Sequence, residues 1–300
     1  MGNNRNNRTC DLISSGTGYQ GMASIISREF FVNKQNHSIA DRLRNNYTHK
    51  GIKKNVKING VEPMELSANS SHILLYLHGF ASGPSSTKAW YLERHFAEIG
   101  YELHVPDLNL GDFSRTTLSK QLDFLANLIT ELRQENPEAK VVVLGSSLGG
   151  LLAVLLAARV PEVNQLVLLA PAFGFGQRIL DNLGTDQVAL WHSSGQRMFY
   201  HYGYRQEMQL PYEFLVDALQ HDENVLTRPV PTLIIHGEHD EVVPACLSVT
   251  YAKNRPHVQL EVVRSDHALT DQLQFIWAEV LRFAGLEAQN NRVVADSVSS

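Results

Sequence analysis

Cysteine is scarce in this chain of 300 residues, which contains only Cys10 and Cys246. Two cysteines cannot form the disulfide framework of a small secreted domain. Neither residue belongs to a Cys-x-x-Cys or histidine-rich cluster of the kind that binds zinc. The sequence therefore predicts that the protein is located in a reducing compartment, the cytoplasm. It also predicts that the protein uses no metal ion and no other cofactor.

Long hydrophobic runs are also absent. The longest apolar stretch, residues 148–158, includes two glycines and is followed by Arg159; it is well short of the ~20 residues that cross a bilayer. Met1-Gly2 resembles a myristoylation signal, but Asn6 stands where Ser or Thr is needed, and no apolar run follows as in a secretory peptide. We expect no membrane span and no targeting signal.

An excess of positive charge is missing as well. The chain has 26 Lys and Arg against 31 Asp and Glu, a formal net charge of -5, and its basic residues form no dense block. Nucleic acids and anionic membranes attract proteins through such blocks. We therefore expect a small-molecule partner and no nucleic acid, while the oligomeric state is left open.

The composition changes along the chain in a way that predicts its domain organisation. Hydrophobic residues make up 43% of the sequence, enough for a large core, and one main domain is predicted over residues 53–286. Residues 1–52 are polar and are expected to be a disordered extension, and residues 287–300 a flexible tail. Asn59-Gly60, between short alternating segments, predicts a hairpin at the start of the domain.

Residues 16–21 match the Gly-x-Gly-x-x-Gly pattern of dinucleotide-binding loops, and Asp41 follows at about the expected distance of 20 residues. The functional motif follows a buried strand and opens a helix. Here only Leu12 and Ile13 precede the pattern, and no helical apolar stripe follows it. We interpret the match as accidental and predict no dinucleotide.

Short apolar runs alternate with helical patterns from residue 73 onward. The runs predict strands over residues 73–77, 103–105, 141–144, 165–169, 232–235 and 260–263, and the helical patterns predict helices over residues 88–99, 118–135, 148–159, 246–252 and 271–283. This alternation predicts an α/β fold with a mostly parallel, doubly wound sheet that binds its ligand at the carboxyl ends of the strands. The aromatic-rich region of about 174–227 interrupts the alternation and predicts a helical cap insertion.

The segment Gly145-Ser146-Ser147-Leu148-Gly149 lies where a predicted strand ends and a predicted helix begins, which is the context of a nucleophile elbow. Such a turn projects its central serine outward on a strained backbone. Glycines two residues before and after the serine let the crossing segments approach closely. Ser147 is therefore the predicted nucleophile, and Gly145 and Gly149 are the predicted elbow glycines.

A serine nucleophile needs a histidine base, and the base needs an acid that orients it; in this kind of fold the chain order is serine, acid, histidine. Asp240 follows the predicted strand 232–235, and His267 follows the predicted strand 260–263. These residues are the predicted acid and base.

Other ionisable residues compete for these roles. Glu238 and Glu241 share the loop of Asp240, and Asp266 adjoins His267, although adjacent side chains usually diverge. His236 and His239 also lie in the acid loop. Since nothing in the sequence directs either histidine toward Ser147, we interpret both as structural.

Acyl transfer places negative charge on a carbonyl oxygen, so backbone N–H donors must be aimed at that oxygen before the reaction. The Leu148 amide, next to the nucleophile, is one predicted donor. The other is the Phe80 amide in the loop after strand 73–77, whose side chain would then line the acyl pocket. An ordinary tight turn at His78-Gly79-Phe80 is the alternative.

The segments YLHGFASGPSSTKA, residues 76–89, and GSSLGG, residues 145–150, resemble the motifs of the YqiA-like esterases, bacterial α/β-hydrolases that act on carboxyl esters and thioesters. The resemblance extends over about residues 73–286. It implies an α/β-hydrolase fold with Ser147, Asp240 and His267 as the triad. Two departures leave the substrate open: residues 173–226 form a longer insertion than in those compact enzymes, and Ser265 replaces the common Gly before Asp-His.

These features predict a serine hydrolase that cleaves carboxyl esters or thioesters through an acyl-enzyme on Ser147. An amidase, a peptidase or a perhydrolase is the alternative among enzymes, because fold and triad do not determine the leaving group. A non-catalytic binding protein on a hydrolase scaffold is the alternative outside enzymes, suggested by the long cap and the terminal extensions.

Overall fold

The computed structural model describes residues 71–288. The predicted extension 1–52, the Gly-rich pattern at 16–21, the Asn59-Gly60 hairpin and most of the tail 287–300 lie outside the described residues. The predicted limits of the domain, 53–286, and of the cap therefore stay predictions.

The described residues contain eight strands, of which six form one parallel sheet and two form a separate antiparallel hairpin. They are β1 His72–Leu77, β2 Leu103–His104, β3 Lys140–Ser146, β4 Val163–Leu169, β5 Gln196–His201, β6 Gln206–Pro211, β7 Thr232–Gly237 and β8 Val258–Val263. The sheet order is β2-β1-β3-β4-β7-β8, and β5 pairs with β6. The predicted α/β fold with a parallel sheet is confirmed.

Seven α-helices accompany these strands within residues 71–288. They are α1 Thr87–Glu98, α2 Leu118–Glu135, α3 Leu148–Arg159, α4 Phe175–Ser194, α5 Tyr212–Ala218, α6 Ala245–Ala252 and α7 Leu273–Ala284. Helix α4 is kinked at Gly184, whose φ of 73° is non-helical. None of the helices in this part of the chain combines the length and hydrophobicity that a bilayer crossing requires.

Both faces of the sheet are buried at its centre, which explains why β1, β3 and β7 are buried almost continuously, whereas the edge strand β8 has several exposed residues. On β3, Val141 and Val143 face α2 and α3, whereas Val142 and Leu144 face α1 and α7. Residues 148–157 of α3 are all buried. This helix is therefore central to the core, and its apolar run serves packing.

The region between β4 and β7 contains α4, the β5–β6 hairpin and α5. A helical cap is predicted from the sequence, and the structure adds a hairpin to its helices. Burial alternates along β5, where Met198 and Tyr200 are exposed and His201 is buried. This period-two pattern is typical of a strand with one face in water. The many aromatic residues here obscure it in the sequence.

Arg228 connects the segment before β7 to the carboxyl end of α3. Its guanidinium donates to the carbonyl oxygens of Ala157 at 2.9 and 3.1 Å, Val160 at 3.2 Å and Val163 at 2.7 Å. The last carbonyl groups of a helix have no partners within the helix. One side chain thus gives a partner to the Ala157 carbonyl in the last turn of α3 and links α3 to β4.

Replacing Arg228 with Met should lower the free energy of unfolding by about 2–3 kcal/mol, because charge-assisted hydrogen bonds to three carbonyl groups are lost. Urea unfolding measures this change. The control is Arg159→Met, which removes an ion pair with Asp123 whose two side chains are 50% and 60% exposed, and it should cost less than about 1 kcal/mol. Equal losses in the two variants would contradict the role of Arg228.

Candidate active site

The turn between β3 and α3 holds Ser147 in a strained conformation, with φ of 54° and ψ of -118°. A non-glycine residue adopts a positive φ only when its surroundings impose it. Here the Ser147 amide donates to the Leu169 carbonyl at 2.9 Å, and the Ala172 amide donates to the Ser147 carbonyl at 3.0 Å. The end of β4 therefore holds the serine backbone from both sides.

The two predicted elbow glycines occupy positions without room for a side chain. A Cβ atom on Gly145 would overlap the backbone of Gly149, and a Cβ atom on Gly149 would overlap the carbonyl group of Leu77 in β1. The start of α3 can therefore lie directly against β1. This close approach brings Ser147 to the carboxyl edge of the sheet.

The structure brings the predicted nucleophile, base and acid into one chain of hydrogen bonds. His267 Nε2 is 3.0 Å from Ser147 Oγ, and His267 Nδ1 is 2.7 Å from Asp240 Oδ2. A neutral imidazole with its proton on Nδ1 donates to the carboxylate and accepts from the serine hydroxyl. The Asp240 side chain is fully buried, whereas the His267 side chain is 20% exposed.

Asp240 is a buried carboxylate with several donors. The Val242 and Val243 amides donate to its Oδ1 at 2.9 and 2.7 Å, and His236 and His267 both contact its Oδ2. Burial by itself would raise the pKa of the Asp240 carboxyl, but these hydrogen bonds hold that pKa well below its usual range. The group therefore remains an anion at neutral pH.

The competing acids do not reach His267. Glu238 and Glu241 are exposed. Asp266 is also exposed, and its carboxylate accepts from the Ala268 and Leu269 amides in its own turn. Of the four candidate acids, Asp240 is the one that contacts the imidazole.

His236 belongs to the site, which the sequence analysis did not predict. Its ring is fully buried, and its Nε2 is 3.1 Å from Asp240 Oδ2 and 2.8 Å from the Val243 carbonyl. Because that carbonyl can only accept, Nε2 carries the proton, and Nδ1 accepts from Ser248 Oγ at 2.7 Å. Side chains two residues apart on a strand point to the same face of the sheet. Because Ile234 faces the α3 side, the strand pattern of β7 could have indicated that His236 faces that side as well. His239, by contrast, is exposed.

The two predicted oxyanion donors lie beside Ser147. Leu148 follows it in the chain, and Gly79, next to Phe80, is packed so closely that a Cβ atom there would lie 3.4 Å from Ser147 Cβ. Within residues 71–288, neither the Leu148 amide nor the Phe80 amide donates to another protein group. Both N–H groups are therefore available to a ligand.

His78 controls the orientation of the peptide that carries the Phe80 amide. Its Nε2 accepts from the Leu108 amide at 3.0 Å, so its Nδ1 carries the proton and donates to the Gly79 carbonyl at 2.9 Å. The Gly79 carbonyl and the Phe80 N–H belong to one planar peptide group and point in opposite directions. Holding the carbonyl therefore sets the direction of the N–H.

The Phe80 side chain extends into a cluster of phenylalanines. Its ring centroid lies 5.5–5.8 Å from those of Phe113, Phe175, Phe199 and Phe214. A cavity of about 10 Å³, lined in part by Phe80 and Leu148, has room for about one water molecule. If Phe80 lines an acyl pocket, as predicted, that pocket borders this aromatic cluster, where little empty space remains.

Lys88 of α1 holds the loop that carries the histidine. Its Nζ donates to the carbonyl oxygen of Ala268 at 2.5 Å, one residue after His267. Burial lowers the pKa of Lys88 from its ordinary value of 10.5 to about 8, with a partial offset from the charges of Asp266 and Asp240. The cause of this shift is that the buried ammonium group has lost its hydration.

The depressed pKa of Lys88 predicts a pH-dependent stability. Between pH values of about 8 and about 10 the unfolded chain keeps this proton while the folded protein releases it, so the free energy of unfolding rises with pH. The unaltered protein should therefore gain stability relative to Lys88→Met over this range, as measured by urea unfolding. If the free energy of unfolding of the unaltered protein minus that of Lys88→Met stays constant or falls as the pH rises, the buried position of the ammonium group is contradicted.

Residues that could hold a metal ion do not cluster in this part of the chain. Among residues 71–288, no group of three or more His, Cys, Asp or Glu side chains is placed to bind one. The sequence-based expectation of chemistry without a cofactor stays a prediction.

The parallel sheet and the strained turn after β3 together define an α/β-hydrolase. Alpha/beta hydrolase domain-containing protein 10 from mouse matches with a TM-score of 0.58 and 20% identity, over 72% of this chain and 91% of the mouse chain. Est1E from Butyrivibrio proteoclasticus matches with a TM-score of 0.58 and 20% identity, over 73% and 91%. Such identities show the fold alone, and they confirm the predicted α/β-hydrolase fold.

The chain belongs to the uncharacterised protein family UPF0227, whose model matches residues 73–284. This membership confirms the resemblance to the YqiA-like esterases. In sequence, the 2-hydroxymuconate semialdehyde hydrolase of Pseudomonas sp. strain CF600 is 26% identical over 223 residues, which are 63% of this chain and 77% of that enzyme. By fold and family, the chain is a hydrolase of the α/β superfamily.

Proposed function

We propose that this protein is a serine hydrolase that cleaves carboxyl esters or thioesters through an acyl-enzyme on Ser147. The observation that carries the proposal is the continuous hydrogen-bonded chain from Ser147 Oγ through His267 to Asp240, with distances of 3.0 and 2.7 Å. This is the geometry that a nucleophile, its base and an orienting acid require. A small-molecule acyl substrate and a cytoplasmic location are parts of the same proposal.

In the first half of the reaction, Ser147 Oγ attacks the acyl carbonyl carbon while its proton moves to His267 Nε2. The resulting imidazolium is stabilised by the anionic Asp240. The imidazolium then gives this proton to the leaving alcohol or thiol as the C–O or C–S bond breaks, and the acyl group remains on Ser147.

In the second half, His267 takes a proton from a water molecule as the water oxygen attacks the acyl carbon. Ser147 Oγ leaves with that proton, and a carboxylic acid is released. In both halves negative charge develops on the former carbonyl oxygen, and the Leu148 and Phe80 amides are the donors assigned to it. Loss of one such donor typically costs about 3 kcal/mol of transition-state stabilisation.

Replacing Ser147 with Ala should abolish labelling by a fluorophosphonate probe and turnover of ester substrates, because the reacting oxygen is removed. Ser146→Ala is the matched control, since it removes a hydroxyl one residue earlier and should leave labelling intact. Labelling is read by gel fluorescence and located by mass spectrometry. Persistent labelling of the Ser147 variant would disprove the nucleophile assignment.

Asp240→Asn should lower kcat by about 10³–10⁴-fold, because an amide in this position no longer holds the histidine tautomer that accepts the serine proton. The exposed Glu241 provides the control, and Glu241→Gln should change kcat by less than about twofold. Steady-state kinetics on p-nitrophenyl acetate measure both effects. A kcat unchanged in the Asp240 variant would exclude this carboxylate as the orienting acid.

The leaving group separates the proposal from its alternatives. A panel of esters, thioesters and amides, followed by product analysis, distinguishes an esterase or thioesterase from an amidase, a peptidase or a perhydrolase. The panel should also contain 2-hydroxymuconate semialdehyde, the compound named for the Pseudomonas relative. A protein inert to the whole panel and to the fluorophosphonate probe would instead be a binding protein on a hydrolase scaffold.

A further inference from the structure

We propose that the turn of the cap hairpin, together with Asn109 and His201, is a positioning element that holds the loop carrying the Phe80 amide. The hairpin turn comprises residues 202–205, between β5 and β6, and the oxyanion loop comprises residues 78–82, directly after β1. The inference rests on the proposed function, since it assigns part of the cap to the stabilisation of the oxyanion.

The first support is a strained residue next to Phe80. Ala81 has a φ of 50° and is buried, a conformation that a non-glycine residue keeps only when its neighbours impose it. Its carbonyl oxygen accepts from the Tyr202 amide at 2.7 Å and from the Gly203 amide at 3.4 Å. The hairpin turn therefore supplies the backbone donors that hold this strained peptide.

The second support is the close contact of Gly203 with the oxyanion loop. A Cβ atom on Gly203 would lie 3.1 Å from His201 Cε1, 3.1 Å from the carbonyl carbon of Ser82 and 3.2 Å from the Gly83 nitrogen. The last two are backbone atoms, which cannot move aside as the end of a flexible side chain can. A side chain at this position must therefore shift the turn, the loop or the His201 ring by a few tenths of an ångström.

The third support is a buried polar bridge between the same two segments. Asn109 Nδ2 donates to the Ser82 carbonyl at 3.0 Å, and Asn109 Oδ1 lies 3.0 Å from His201 Nε2. His201 Nδ1 accepts from the Tyr204 amide at 3.1 Å, so Nε2 carries the proton and donates to Asn109. Asn109 and His201 are 3% and 0% exposed, and a buried polar pair persists only when its hydrogen bonds are made.

The charge state of His201 fits this bonding pattern. Burial lowers the pKa of His201 below its ordinary value. The neutral ring is the form that donates through one nitrogen and accepts through the other. Neither His201 nor Asn109 hydrogen-bonds to Ser147, so both residues act through the loop and are positioning residues.

Loss of the contact between the hairpin turn and the oxyanion loop should affect the transition state more than the bound substrate. Displacing the hairpin turn would release the Ala81 carbonyl and let the neighbouring Phe80 amide turn away from the oxyanion. Interactions made only in the transition state affect kcat, whereas contacts shared with the ground state affect KM. We therefore expect cap variants at this contact to lower kcat with little change in KM.

The test compares Gly203→Ala with Gly83→Ala. The same methyl group meets backbone atoms at Gly203 and nothing within 4 Å at Gly83, and neither glycine has a positive φ. With p-nitrophenyl acetate, Gly203→Ala should lower kcat by about 10-fold or more while KM stays within about twofold, and it should weaken binding of an aryl trifluoromethyl ketone by a similar factor. Gly83→Ala should stay within about twofold on all three measures.

A second pair of variants distinguishes a positioning effect from a simple loss of folded protein. His201→Gln keeps a side-chain donor and should retain more of kcat than His201→Ala, measured on the folded fraction of each protein. Hydrogen exchange of the Tyr202 and Gly203 amides, which donate to the Ala81 carbonyl, supplies a readout that needs no activity, and it should accelerate in Gly203→Ala but not in Gly83→Ala.

The outcomes separate this inference from the proposed function. Equal exchange and equal kcat in the two glycine variants, or a loss of kcat that only follows the folded fraction, would overturn the positioning role. If the unaltered protein is inert to the fluorophosphonate probe and to esters, the proposed function fails. The exchange measurement then decides by itself whether the hairpin turn holds the loop.

Discussion

The close approach of α3 to β1 is the constraint on which the rest of the site depends. The backbone of Gly149 lies against the Leu77 carbonyl with no space for a Cβ atom, and the elbow holds Ser147 at a φ of 54°. A serine in this conformation would relax if the segments were further apart. The centre of the sheet and the buried residues 148–157 of α3 supply the packing that keeps them together.

A second constraint is electrostatic. A buried carboxylate is costly unless its oxygens are hydrogen-bonded, and Asp240 receives backbone amides on one oxygen and two imidazoles on the other. His236 contributes its Nε2 N–H as a donor, which it shares with the Val243 carbonyl. The negative charge is thereby kept beside His267.

The cap has two roles that its sequence does not distinguish. Its phenylalanines surround the Phe80 ring, and its hairpin turn contacts the backbone of the loop that carries the Phe80 amide. The aromatic composition indicated a buried insertion but hid the alternation that makes β5 a strand. Contacts such as Tyr202 with Ala81 join residues far apart in the chain, and no local pattern indicates them.

The sequence by itself determined the parallel sheet, the elbow and the order of Ser147, Asp240 and His267, because each depends on local signals: apolar periodicity, glycine spacing and the position of a residue after a strand. Only the tertiary structure showed that the competing acids do not contact His267, that His236 hydrogen-bonds to Asp240, and that Asn109 joins the cap to the oxyanion loop. The physical reason is that hydrogen-bond partners are chosen by side-chain direction and distance in space. Those quantities exist only once the strands and helices have packed.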